Sequence, residues 1–402
     1  MLLLGISLSI LIIKIKSISI PFFWILALWC LIILVVSIIV TKKLIKVILI
    51  NITLIVMILG VFELYFWRVE TSKLTARTSN SSTGPTAIPA NRIVGQKYHT
   101  TPDDILGYAL VKNSKRTVTR YVNDEILYNV TYTINKNGLR ISPNTKKSDA
   151  PAVLFFGCSF TYGENVNDDE TLPYVTGILT GREYATYNFG IHGHGPQHML
   201  AEIQHGIVDS AITHKPRFAI YQGIPDHINR LKALEPWLIR GPHYILDGNG
   251  KVISTSVPLW PRIKEKLGKS YLYRTITRRI IRIKRDDNEH KNTPNWTEND
   301  DIINYAGVVE KAKDLLSSKY SGIEFHVIYW DDKNDYGFSK AVIEALIKKG
   351  IETHRLSSII KGSYKYDNKN PYLIPYDGHP TPLTHKIIAN YVVNEIIEKK
   401  HK

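Results

Sequence analysis

Serine, aspartate and histidine side chains brought together can turn a hydroxyl into a nucleophile. The hydroxyl is weak until a base takes its proton, and an imidazole serves best when a carboxylate fixes its tautomer. The chain carries Ser159 in the run Phe155-Phe156-Gly157-Cys158-Ser159-Phe160-Thr161-Tyr162-Gly163, where an apolar stretch ends in a Gly-x-Ser turn. It carries Asp377 and His379 in Tyr376-Asp377-Gly378-His379-Pro380-Thr381, ahead of a last helix-forming stretch. The first run reads as a buried strand with Ser159 at the tip of a tight turn. The second sets a carboxylate and an imidazole on one short loop. We expect Ser159 as nucleophile, His379 as base and Asp377 as the group that orients it. Serine alone is a common helix N-cap, and Asp-Gly alone is a common turn. The two motifs together point to chemistry. Cys158 is a rival nucleophile whose neighbouring position turns its side chain elsewhere, so it is expected to pack. His385, one turn into the following helix, is a spare base.

The turn Gly157-Cys158-Ser159-Phe160 resembles the first block of the SGNH (GDSL-type) hydrolases, with Cys158 where aspartate is common. The run Asn188-Phe189-Gly190-Ile191-His192-Gly193-His194-Gly195 resembles the second block, in which a glycine amide faces the oxyanion, and Asp377-Gly378-His379-Pro380 resembles the last. The resemblance spans roughly residues 150–400. It implies a flavodoxin-like sheet, an acyl-serine intermediate and oxyanion donors at the Ser159 and Gly193 amides. The family often adds an asparagine after the third strand. Here Gln222-Gly223-Ile224-Pro225-Asp226-His227 stands in that place, and His227 is expected to supply the missing donor ahead of Gln222. The family's commonest form separates Asp and His by two residues. One separates them here, as in some polysaccharide acetyl-transferring relatives. His192 and His194 are expected to contact substrate. His192, His194 and His198 are loosely spaced with no acidic neighbour in sequence, so no metal is expected, and no cofactor is implied. The activity implied is a serine ester hydrolase acting on O-acyl, chiefly O-acetyl, esters of an envelope glycan or glycolipid. Two other readings stay open. One is an O-acyltransferase working with a separate membrane acyltransferase partner. The other is a catalytically silent glycan-binding or assembly module.

The elements that must position these groups alternate from residue 151 onward. Strands are expected at 153–156, 184–189, 217–222, 323–330 and 351–356, with helices at 169–180, 196–212, 302–317, 338–349 and 382–399. That alternation argues an α/β fold with a parallel sheet and helices on both faces, its ligand site at the carboxyl ends of the strands. Residues 231–300 interrupt it as a lid insertion within a catalytic domain of residues 151–402. Residues 99–150 read as a β-rich lead-in, and 69–98, rich in Ser, Thr, Gly and Pro, as a flexible linker. Residues 1–68 read as a transmembrane region. Residues 17–40 and 45–66 are each long enough to span at ~20 residues, and 1–13 form a shorter apolar stretch. Lys42, Lys43 and Lys46 in the intervening turn favour a cytoplasmic turn, which puts the large domain on the non-cytoplasmic side of an inner or plasma membrane. The formal net charge of +15 is partly concentrated in residues 262–285, a run suited to anionic lipid headgroups or acidic glycans. Nucleic acid is disfavoured for a tethered domain outside the cytoplasm. Cys30 lies in a span and Cys158 beside the serine, so no structural disulfide joins them.

Overall fold

The computed structural model describes residues 22–79, 92–232, 235–255, 267, 270–273, 275–276, 299–331, 337–360 and 370–399. Two units partition the chain: Met1–Ala87 with Arg262–Pro294, and Ile88–Pro261 with Asn295–Lys402.

In the first unit, helices Phe22–Ile39 and Lys43–Ser79 pack against each other. Lys43–Val69, with 27 residues and a mean hydropathy of 2.7, is long and apolar enough to cross a membrane. Phe22–Ile39 has 18 described residues, a rise of ~27 Å against a ~30 Å hydrocarbon core. That is at the short end of the ~17–25 residues that span, and among the described residues Lys43–Val69 is the one candidate span; residues 1–21 lie outside the description. The second helix also runs through the first part of the expected linker. Glu70, Lys73, Leu74, Ala76 and Arg77 are good helix formers, and no Gly or Pro intervenes before Gly84. Residues 80–91 and most of the basic run 262–285 lie outside the description. Buried Glu63 accepts hydrogen bonds from Ser270 Oγ at 2.8 Å and from the amides of Tyr271 and Leu272 at 2.7 and 3.0 Å.

The second unit opens with short antiparallel pairings. β1 (Arg92–Val94) joins the edge of a ribbon made by β4 (Ser114–Val122) and β5 (Glu125–Ile134), while β2 (Thr100–Asp103) pairs with β3 (Gly107–Leu110). Then come β6 (Ala152–Phe156), β7 (Ala185–Asn188), β8 (Pro216–Gly223), the hairpin β9 (Tyr244–Leu246) and β10 (Val252–Ser254), β11 (Glu324–Tyr329) and β12 (Glu352–Arg355). β6, β7, β8, β11 and β12 form one parallel sheet in the spatial order β12-β11-β8-β6-β7. In chain order that is the flavodoxin-like arrangement 2-1-3-4-5.

Side chains alternate across a strand, so β6 feeds two cores. Leu154 and Phe156 join helices 196–204, 299–319 and 338–348 on one face, and Val153 and Phe155 join helices 172–179 and 382–397 on the other. All five β6 side chains are buried, which is why the strand reads as an unbroken apolar run. The helix expected over 196–212 is broken at Gly206, whose φ of +71° starts a new turn at Ile207. Part of the expected lid is instead the β9–β10 hairpin, with Leu246 packed on Gly307 of helix 299–319.

Candidate active site

The strand order reverses at β6, because β7 lies on one side of it and β8 on the other. A crevice opens outside the carboxyl ends at such a point. Ser159 sits there, three residues beyond the end of β6. Gly157 (φ +153°) makes the turn possible, since a Cβ at that position would lie 2.2 Å from Thr161 Oγ1. Ser159–Tyr162 then form one helical turn, ended by Gly163 at φ +81°. The N–H of a first helical residue has no acceptor within its own helix, so the Ser159 amide is left for other partners.

The fully buried Arg140 staples the segment after that turn. Its guanidinium donates to the Tyr162 carbonyl at 2.8 Å, the Val166 carbonyl at 2.7 Å and Asp168 at 2.9 Å, and lies against both the Tyr132 and Tyr162 rings. This fixes Glu164 and Asn165, both buried, beside the serine turn.

The second loop curls tightly because Tyr376 and Gly378 both adopt positive φ, +58° and +87°. The Asp377 and Gly378 amides both bond the Ile374 carbonyl. With Gly378 bent between them, Asp377 and His379 meet side by side despite the one-residue spacing. His379 Nε2 lies 2.9 Å from Ser159 Oγ, and its Nδ1 bonds Asp377 Oδ1. A carboxylate only accepts, so Nδ1 carries the hydrogen and Nε2 presents its lone pair to the serine. Asp377 is held in turn by Asn165 Nδ2 at 2.7 Å and Arg120 Nη1 at 2.9 Å, with Lys97 Nζ at 3.5 Å. Burial alone would favour its neutral form. The hydrogen bond from His379 and the nearby cationic charges outweigh that and hold the carboxyl below the usual aspartate value.

A second histidine–carboxylate pair adjoins the first. His192 Nδ1 lies 2.8 Å from Glu164 Oε2, which is also 3.7 Å from His379 Nε2, and Lys97 Nζ lies 2.8 Å from Glu164 Oε1. Burial opposes the Glu164 charge, but the His192 hydrogen bond and the surrounding positive charges win, and its pKa falls well below the ordinary range. For His192 burial wins over the attraction of Glu164, so the ring is neutral and donates Nδ1–H. Burial likewise works against the Lys97 ammonium, and Glu164 more than offsets it.

These groups face a cleft of about 830 Å³, lined by Ser159, His379, Glu164, His192 and Gly193 together with Arg230. Gly193 has φ +71°, and a Cβ there would stand 2.8 Å from both the Tyr108 hydroxyl and Trp237 Nε1. His194 does not line the cleft. It is buried with its ring stacked 3.8 Å from that of His198. His227, expected to face the oxyanion, is buried behind β8, stacked on Tyr221 and paired with its hydroxyl at 2.5 Å. Helix Asp226–Leu231 begins directly after Pro225, so no free loop swings the ring forward. The helical period sends His227 and Leu231 into the core and Asp226 and Arg230 to the cleft. Arg230 Nη1 donates to the His194 carbonyl at 2.7 Å. Gln222 is occupied, accepting from Thr161 Oγ1 at 2.6 Å, and Cys158 is buried in the core. His385 is buried as well.

Glu164, Asn165, Lys97 and Arg120 were not singled out in the sequence. The Glu-Asn pair just past the serine turn is a signal in reach of the sequence; Lys97 and Arg120 come from the linker and lead-in and give none.

No protein-family model matches the chain, and no curated protein matches it. Among solved structures it is similar to a lipolytic protein of the G-D-S-L family from Desulfitobacterium hafniense DCB-2, at 12% identity and TM-score 0.31, over 60% of this chain and 97% of that one. It is similar to an acetyl xylan esterase from Butyrivibrio proteoclasticus, at 11% identity and TM-score 0.35, over 64% and 66%. A carbohydrate acetylesterase family member from Sinorhizobium meliloti gives 9% identity and TM-score 0.33, over 62% and 98%.

Proposed function

We propose that this chain is a membrane-tethered serine esterase of the SGNH type, cleaving O-acyl esters, chiefly O-acetyl, of an envelope glycan or glycolipid. One observation carries the reading: Ser159 Oγ lies 2.9 Å from His379 Nε2, with Asp377 on the far nitrogen of the same ring. His379 Nε2 takes the serine proton as Oγ adds to the ester carbonyl, whose π electrons move to its oxygen. The resulting oxyanion is held by the Ser159 and Gly193 amides and by Arg230, which takes the part first given to His227. Collapse breaks the bond to the sugar oxygen, and the imidazolium returns its proton to that oxygen. Water then adds to the acyl-serine with His379 as base, releasing the acid and restoring the serine. Asp377 stays ionised and stabilises the imidazolium. Glu164 places a second negative charge on the other side of the ring, 3.7 Å from Nε2.

The cleft volume lies within the ~300–1,000 Å³ usual for small-molecule sites. Tyr98, Tyr108 and Trp237 line the cleft, giving aromatic contact area of the kind a sugar ring packs on. The test uses full-length protein in detergent with p-nitrophenyl acetate and a fluorophosphonate. Labelling and turnover are expected, both lost in Ser159→Ala. Turnover retained in that variant but lost in Cys158→Ala would overturn the assignment. The tether and the non-cytoplasmic location are read from helix Lys43–Val69 and the lysines at its start. A C-terminal alkaline phosphatase fusion should be active; activity only from a cytoplasmic reporter would reverse the topology.

A further inference from the structure

At the far edge of the sheet, three metal-ligating side chains converge. β11 and β12 are parallel, with His326 opposite Glu352 and Ile328 opposite His354. Glu352 and His354, two apart on one strand, share a face, and His326 meets both across the ladder. His326 Nδ1 is 3.1 Å from His354 Nε2 and 3.8 Å from Glu352 Oε2, and the three donor atoms all lie within 4.8 Å of one another. His354 Nδ1 is 2.9 Å from the Tyr391 hydroxyl. None of these residues lines the cleft.

We propose that His326, Glu352 and His354 bind a zinc ion. Two imidazole nitrogens and one carboxylate are a borderline donor set of the kind zinc takes, at ~2.0–2.2 Å from each atom, with a fourth tetrahedral position for water. Tetrahedral angles at those lengths separate ligand atoms by ~3.3–3.5 Å. The two nitrogens are a few tenths of an ångström closer than that. Glu352 must move inward from 3.8 Å to reach the same spacing from His326, which its exposed side chain allows. A Tyr391 hydroxyl accepting from His354 Nδ1–H fixes the tautomer and aims the Nε2 lone pair at the ion, the role an outer partner plays for a metal-bound histidine. Without the ion, the facing nitrogens of His326 and His354 share one hydrogen. With it, both offer lone pairs and His326 carries its N–H on Nε2. The ion ties the edge strand β12 to β11, and Tyr391 extends the tie to the last helix, so the site is structural and separate from the ester chemistry.

The experiment uses full-length protein in detergent, stripped by chelator and dialysed, with zinc alone as the probe. A chromophoric chelator should report one equivalent of tightly bound zinc, and zinc should raise the melting temperature. Cobalt in its place should give the absorption of a tetrahedral site. Glu352→Gln, at an exposed position that tolerates the change, should weaken binding at least tenfold. Tyr391→Phe should weaken it ~10–100-fold, and His354→Ala should abolish it. No stoichiometric uptake by the wild type overturns the proposal. So does uptake unchanged in Glu352→Gln and His354→Ala, since the zinc would then sit elsewhere.

Discussion

Two sets of histidines lie within the same unit and differ in their partners. His379 and His192 each face a carboxylate and line the cleft. His194 and His385 are buried, and their ring nitrogens have no hydrogen-bond partner among the described residues. Burial pushes both down to about 3, so they remain neutral aromatic packing. A carboxylate fixes which nitrogen carries the hydrogen and stabilises the ring once it is charged. An apolar wall does neither. The chemistry of a histidine here is set by the group behind it, and that group is often remote in sequence.

The largest effect should separate the two sets outright. His379→Ala should lower kcat by ~10⁶-fold, the scale seen when the base of such a unit is lost, whereas His385→Gln should leave turnover of p-nitrophenyl acetate within a few-fold of wild type. Equal losses in the two variants would erase the distinction. Next comes the carboxylate itself. Asp377→Asn keeps the shape of the loop but favours the wrong tautomer of His379, and should cost ~10⁴-fold in kcat. A loss below tenfold would mean that the Asp377 charge does not set the His379 tautomer, since Glu164 lies on the opposite nitrogen, 3.7 Å from Nε2.

The third contrast sets Arg230 against His227 on one short helix. If Arg230 serves the oxyanion, Arg230→Gln should lower kcat by ~100–1,000-fold with KM little changed, because the interaction is made only in the transition state. His227→Asn should instead lower the melting temperature and leave kcat nearly intact, since its ring packs on Tyr221. The reverse pattern would restore the expectation drawn from sequence.

The structure places His227 away from the cleft for a definable reason. Ser159, Asp377 and His379 were legible because strand ends and tight turns announce themselves through Gly157 and Gly378, and the parallel sheet was legible from fully apolar strands such as β6. The orientation of His227 depended on where a helix begins after Pro225, and a shift of one residue turns a side chain by ~100°. Asp226 and Arg230 share a helical face, so the alternative was readable once that start was known. Lys97 and Arg120 reach Asp377 from segments more than 250 residues away, a pairing no local pattern announces. The convergence of His326 with His354 likewise depends on strand register, which parallel pairing conceals.

The smallest effect is on stability rather than rate, and it tests the buried set directly. A histidine held neutral at about 3 in the folded chain returns to ~6.5 when unfolded. Between those values the unfolded chain binds a proton that the folded chain refuses. Stability is then fully present above ~6.5 and falls as the pH drops toward 3, by ~1.4 kcal/mol per pH unit for each such group. The carboxylates act in a lower window. The folded values of Asp377 and Glu164 are depressed, so their contribution is present above the ordinary carboxylate range and is lost only as pH falls through the folded values. The melting temperature should therefore decline between pH 6.5 and 4.5, before those carboxylates titrate. His385→Gln removes one titrating group and should make that decline shallower, whatever it does to stability at neutral pH. A melting temperature that stays flat from pH 7.5 to 5, or a slope that His385→Gln leaves unchanged, would mean that the buried rings accept protons in the folded state and are not the inert members of the pair of sets.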